Sequence, residues 1–159
     1  MKKGPVIAIL VSIGLLVSLL MMPITHKVTE EVVIESVDQK IERAINLVTS
    51  SPNPMPGIML LREVLDEDPK NIKALSALGL FSIQSNQIDK AIARFEQIVD
   101  IDSQNYLALE KLVDLYKLTN DTLRWNQSLH NLYQVETDEE RRKRIEDTLK
   151  ELEKEFVKS

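Results

Sequence analysis

Residues 72–105 read IKALSALGLFSIQSNQIDKAIARFEQIVDIDSQN, and this stretch decides the fold. Apolar residues recur three and four positions apart on both sides of a polar break at residues 85–87, which predicts two amphipathic helices joined by a short turn. Gly79 and Ala91 fall where the two apolar stripes would face each other. Small residues there predict a closely packed antiparallel pair, and Phe95 is expected to fill the gap to a neighbouring hairpin.

The spacing of these residues resembles the tetratricopeptide repeat (TPR) pattern, in which Trp, Leu-Gly, Tyr, Ala, Phe and Pro stand at fixed offsets. Four residues match the pattern: Leu78, Gly79, Ala91 and Phe95. Three residues depart from it, in the family's Trp, Tyr and Pro slots: Leu75, Ser82 and Ser103. The resemblance implies helical hairpins stacked into an α-solenoid, with protein binding as the class of function. The chain as a whole also resembles small membrane-anchored TPR proteins of bacteria.

A shift by the TPR period of 34 residues finds a copy of the motif on each side. In the first copy Pro69 takes the family's closing position, and Gly57 and Ala44 are expected to make the close helix contact. In the third copy Trp125 replaces the small residue, which predicts a hairpin that opens wider or shifts. The sequence therefore predicts three hairpins, at residues 38–71, 72–105 and 106–139.

The N-terminus predicts a membrane anchor. Lys2 and Lys3 precede an uncharged run, and residues 5–23 are long enough to cross a hydrocarbon core of about 30 Å. The end of the run offers no small-residue cleavage site, so an uncleaved anchor is favoured over a signal peptide that would release a soluble exported protein. The two lysines within residues 1–4 predict a cytoplasmic N-terminus of a single-pass protein in the cytoplasmic (inner) membrane. The repeats would then lie in the periplasm or outside the cell.

Two further segments flank the predicted repeats. Residues 24–37 fit both a short strand and a helical ladder, and we interpret them as a loosely ordered spacer before a helix capped by Ser36 or Asp38. Residues 140–159 form a charged helix with one narrow apolar stripe. A capping helix over the last repeat explains this stripe better than a coiled coil, because the heptads are too few. Acidic residues flank the basic run at residues 141–144, which favours a solvated face.

The composition argues against several classes of function. The net charge is −5 and there is no cysteine, which gives no nucleic-acid footprint and excludes disulfides and thiolate metal sites. His26 and His130 have no metal-ligand or catalytic partner at a suitable spacing, and no nucleotide or hydrolase motif is present. We therefore expect neither an enzyme nor a metal or cofactor site.

The predicted function is a scaffold or adaptor that binds a partner protein at the membrane. The first helices of successive TPR hairpins would line a groove through these residues: Glu42, Asn46, Lys73, Ser76, Leu80, Ile83, Leu107, Glu110, Asp114 and Lys117. Three of them form an apolar patch at its centre: Leu80, Ile83 and Leu107. Either a partner segment or residues 24–37 of the same chain would cover this patch. A structural accessory subunit of a larger membrane complex is the alternative function.

Overall fold

The computed structural model describes residues 35–156, with side chains as far as Lys154. Within this range the protein is all-α, as predicted, and holds seven helices: α1 Val37–Ser50, α2 Met55–Glu67, α3 Ile72–Gln84, α4 Ile88–Ile101, α5 Tyr106–Leu118, α6 Thr122–Val135 and α7 Glu139–Phe156. Three hairpins, α1–α2, α3–α4 and α5–α6, stack in chain order, and α7 packs on α6. This arrangement is an α-solenoid.

The first helix begins at a capping box. The Ser36 hydroxyl accepts a hydrogen bond from the Gln39 backbone N–H at 3.2 Å, and the Gln39 side chain accepts one from the Ser36 N–H at 2.9 Å. Ser36 is therefore the cap of α1. The predicted anchor at residues 5–23 and most of the predicted spacer lie outside the described residues. Within residues 35–156 every helix falls short of the length or apolarity needed to span a membrane.

The two turns between hairpins have the same geometry, 34 residues apart. Asn71 and Asn105 each cap the next helix by accepting a hydrogen bond from the backbone N–H three residues on, at 3.1 and 3.2 Å. Each Asn also donates its amide to the aspartate three residues before it, Asp68 or Asp102, at 3.2 Å. Ser103 therefore serves in this turn without the family's proline, because the Asp and Asn side chains define the geometry.

The turns inside the second and third hairpins also share one geometry. Asn86 and Asn120 both have a φ of 56°, in the left-handed region that Asn tolerates better than most residues. The backbone N–H of the following residue bonds to the carbonyl five residues earlier, at 2.7 and 2.9 Å. This closure satisfies the last carbonyls of the first helix. The first hairpin lacks such an Asn, and α2 begins after Pro54 with Pro56 in its first turn.

The two helices of the first hairpin make the predicted close contact. A Cβ atom at Gly57 would stand 2.4 Å from the Ala44 carbonyl oxygen and 2.8 Å from Val48 Cγ2. In the second hairpin the neighbour of Gly79 is Phe95, whose ring would lie 2.9 Å from an added Cβ. Phe95 therefore packs inside its own hairpin as well as towards the neighbouring one, where it was predicted. Its fully buried ring occupies the space above Gly79 in its own hairpin and also belongs to the core shared with α5.

Trp125 stands in the third hairpin at the position that Ala91 holds in the second. The helices α5 and α6 contact each other as extensively as α1 and α2 do. Trp125 is only partly buried, and the Lys117 ammonium lies 5.3 Å from the centre of its ring. The indole is accommodated because it packs between two core clusters, those of the second and third hairpins.

The two ends of the described solenoid are finished differently. At the start, Lys40 occupies the position that fully buried Ala74 and Ala108 hold in the later hairpins, and it pairs with Glu63 at 3.0 Å. At the end, α7 buries an apolar stripe against the third hairpin, as expected of a capping helix: Ile145, Leu149 and Leu152. The basic run at residues 141–144 is largely engaged within the domain, through ion pairs and a Tyr133 ring contact.

Glu136 joins the third hairpin to α7. Its side chain is almost fully buried and accepts hydrogen bonds from the Tyr106 hydroxyl at 2.7 Å and the Asp138 backbone N–H at 2.8 Å. The Arg141 guanidinium lies 3.6 Å away. The backbone N–H of Asp138, the Tyr106 hydroxyl and the Arg141 charge together hold the pKa of Glu136 below its usual value.

The glycine contacts predict a difference between two otherwise equal substitutions. Gly57→Ala should destabilise the protein by about 1–3 kcal/mol, because the new methyl group meets a backbone carbonyl that cannot turn aside. Gly79→Ala should cost much less, because the obstacle is a side chain and alanine gains about 1 kcal/mol of helix propensity. Urea unfolding of both variants measures the difference. Equal losses would contradict the assignment of the closest helix contact to Gly57.

The Glu136 contacts predict a pH dependence. Because the folded-state pKa lies below the unfolded-state value of about 4.3, this carboxylate stabilises the fold above that pH and ceases to do so as the pH falls through the folded-state pKa. Below about pH 5, the melting temperature of the wild type should therefore fall more steeply than that of Glu136→Gln. Glu151→Gln, at an exposed position on α7, is the control and should follow the wild type.

Candidate functional site

An open groove of about 910 Å³ runs along the first helices of the three hairpins. Its surface is mainly apolar, and its lining includes these aliphatic residues of α1, α3 and α5: Ile45, Val48, Leu80, Ile83, Leu107 and Leu118. Leu80 and Leu107 remain 43% and 38% exposed. The groove therefore presents aliphatic surface to solvent at the centre of the described domain.

Seven of the ten predicted groove residues line it: Glu42, Lys73, Ser76, Leu80, Ile83, Leu107 and Asp114. The other three, Asn46, Glu110 and Lys117, do not. Glu110 instead pairs with Lys111 at 3.3 Å, and Lys117 extends over the Trp125 ring. Lys117 is therefore held outside the groove by Trp125, whereas Glu110 lies beside the lining and pairs with Lys111, which belongs to it.

Several lining residues were missing from the prediction. Ile45 and Val48 are partly buried, pack against the core of the first hairpin and also line the groove. Lys111 and Leu118 stand one position after predicted members of the set. Because 3.6 residues make a turn, a strict spacing of three and four drifts around the helix, and the adjacent residue then faces the groove.

The charges around the groove are unevenly paired. The Lys73 ammonium donates to Asp38 at 2.6 Å, and this bond, with Coulombic help from Asp38 and Glu42, raises the pKa of Lys73. Lys111 pairs with Glu110 at 3.3 Å. All of these groups are partly or fully exposed, so the pairs contribute little to stability. These ion pairs have a larger effect on the electrostatic potential that a molecule bound in the groove would experience.

A second, smaller cavity of about 180 Å³ lies beside Glu96, Tyr116 and Arg124. The Tyr116 hydroxyl donates to Glu96 at 2.6 Å, and Arg124 lies 3.5 Å from the same carboxylate oxygen. Burial, with the Glu96 carboxylate, raises the pKa of Tyr116 well above its usual value. The hydrogen bond and the ion pair at Glu96 link α4 to α5 and α6. Among residues 35–156 no group of three or more His, Cys, Asp or Glu side chains is placed to hold a metal ion.

The fold and the open groove define a helical-repeat protein. Residues 57–121 match the family model described as tetratricopeptide repeat. This part of the chain is therefore a TPR array, as the sequence pattern predicted. A solved structure of a MamA mutant, a TPR-containing protein, shares the fold with a TM-score of 0.58 and 19% identity, over 77% of this chain and 69% of that one. No curated protein matches the sequence.

Neighbouring leucines on α3 distinguish groove from core. Leu78 is 6% exposed and Leu80 is 43% exposed. Leu78→Ala should cost about 2–5 kcal/mol of unfolding free energy, as expected for a buried leucine. Leu80→Ala should cost less than about 1 kcal/mol, because much of its surface is already in water. Equal losses in chemical denaturation would mean that Leu80 belongs to the core.

Proposed function

We propose that this protein is a membrane-anchored TPR scaffold that holds a partner protein next to the membrane through the groove between α1, α3 and α5. The observation that supports this function is the aliphatic surface that the groove exposes at Leu80 and Leu107. An apolar centre within a polar rim is the usual anatomy of a protein-binding site.

The groove favours binding over catalysis. Its polar groups are two lysines, two carboxylates and a few amides and hydroxyls, without a nucleophile beside a base. TPR domains generally work as protein-interaction scaffolds. We therefore propose a non-enzymatic role, with a protein as the ligand.

The proposed membrane anchor rests on the sequence of residues 5–23 and on the basic residues before it. An apolar run of this length that is preceded by Lys2 and Lys3 favours a cytoplasmic N-terminus and an extracytoplasmic repeat domain. The anchor would confine the groove to partners at the same membrane surface.

The groove hypothesis predicts a loss of partner capture without unfolding. In full-length protein, Leu80→Glu together with Leu107→Glu should abolish co-purification of a cross-linked partner from detergent-solubilised membranes, because two charges would enter the apolar floor. Met59→Glu with Leu123→Glu is the matched control, since both residues are exposed and lie outside the groove. Full retention of the same partner by the groove variant, with unchanged helical content, would refute the assignment.

The topology hypothesis predicts protease access. A protease added to intact spheroplasts should digest the repeat domain and leave a membrane-bound N-terminal fragment. Protection of the repeats until the membrane is broken would reverse the orientation. Release of the intact repeats into the medium would instead identify an exported protein from which the N-terminal segment has been cleaved.

A further inference from the structure

The carboxylates of the groove are less well paired than its lysines. Four charged residues line the groove: Glu42, Lys73, Lys111 and Asp114. Both lysines already bind carboxylates outside the lining, at 2.6 and 3.3 Å. Within residues 35–156, neither Glu42 nor Asp114 forms an ion pair of its own. Each lysine is therefore already paired directly, whereas neither carboxylate has a direct ion-pair partner and Glu42 acts on Lys73 only through space.

These two carboxylates stand on opposite walls. Glu42 belongs to α1 and Asp114 to α5, with α3 forming the floor between them. A segment that crosses the groove would meet a negative charge near each end and aliphatic side chains between them.

The lining favours a helix over an extended peptide. Two of its polar side chains are already engaged, since the Thr49 hydroxyl donates to the Ile45 carbonyl at 2.9 Å and the Asn105 side chain caps α5. An extended peptide would press unpaired backbone N–H and C=O groups against the apolar floor, which is costly. A helix satisfies these groups internally and presents one apolar face.

Resting on the proposed function, we infer that the groove takes an amphipathic helix of the partner with an apolar face and a basic residue near each end. The apolar face packs on Leu80 and Leu107, and the two cations pair with Glu42 and Asp114. The acidic walls disfavour a helix with acidic ends.

Three synthetic peptides test this inference on the full-length protein in detergent. One carries a leucine stripe with lysines at both ends, the second has the same stripe with glutamates at the ends, and the third keeps the lysines but scrambles the stripe. Fluorescence anisotropy of labelled peptides should give at least tenfold tighter binding of the first peptide than of either other one. The difference between the lysine and glutamate peptides should shrink as salt rises, because salt screens exposed charges.

Charge reversal at Glu42 and Asp114 tests whether these two carboxylates cause the preference for the lysine-ended peptide. Glu42→Lys with Asp114→Lys should reverse the preference, so that the glutamate-ended peptide binds more tightly than the lysine-ended one. Asp66→Lys with Glu151→Lys changes the net charge equally at exposed positions away from the groove and should leave the preference unchanged.

The outcomes separate this inference from the function on which it rests. Equal binding of the lysine and glutamate peptides, or a preference that survives Glu42→Lys with Asp114→Lys, overturns the basic partner. Equal binding of the scrambled peptide overturns the helix, and no binding of any peptide overturns the inference altogether. If the stripe peptides bind but are insensitive to Leu80→Gln with Leu107→Gln, the groove itself is not the site and the proposed function also fails.

Discussion

The contact between α1 and α2 is so close that a single methyl group at Gly57 would stand 2.4 Å from the Ala44 carbonyl oxygen. Such contact requires antiparallel helices with small residues at the crossing point. In the second hairpin the same space is shared between Gly79 and the Phe95 ring, which also reaches the core of the next hairpin. Small residues thus allow the close helix contacts of the first two hairpins, and Phe95 joins the second hairpin to the third.

The groove is a consequence of this packing. The turns at Asn71 and Asn105 have the same hydrogen bonds, so the connection from the first hairpin to the second has the same local geometry as that from the second to the third. The first helices use one face against their own partner and another against the neighbouring hairpin. A third face is left over in every repeat, and three such faces side by side make a continuous surface. Its chemistry is therefore free to vary without changing the fold, which explains how Leu80 can be exposed two residues after buried Leu78.

Local signals predicted much of this architecture. The apolar spacing gave the helices, and the 34-residue period gave the hairpin order, because both depend on residues near each other in sequence. The contact of Phe95 with Gly79 in its own hairpin does not follow from spacing, since side-chain direction depends on which neighbours are already packed. The same limit affects the groove: Lys117 extends over the Trp125 ring, whereas its neighbour Leu118 lines the groove. Spacing identifies a helix face to within about one residue but does not give the partner of a charged side chain.

The size of the groove bears on how the proposed anchor and the proposed partner helix would work together. One helix lying across three short helices buries less than the roughly 800 Å² per partner of a standard stable interface. The pairs that two surface carboxylates form contribute little in solution, so the affinity for a free helix would be modest. If residues 5–23 hold the chain at the membrane as proposed, a partner in the same membrane meets the groove at a high effective concentration. Modest intrinsic affinity is then sufficient for occupancy at the membrane, and it leaves the complex free to exchange. A partner without a membrane attachment would gain no such advantage, so confinement to the membrane would select partners together with the groove's own chemistry.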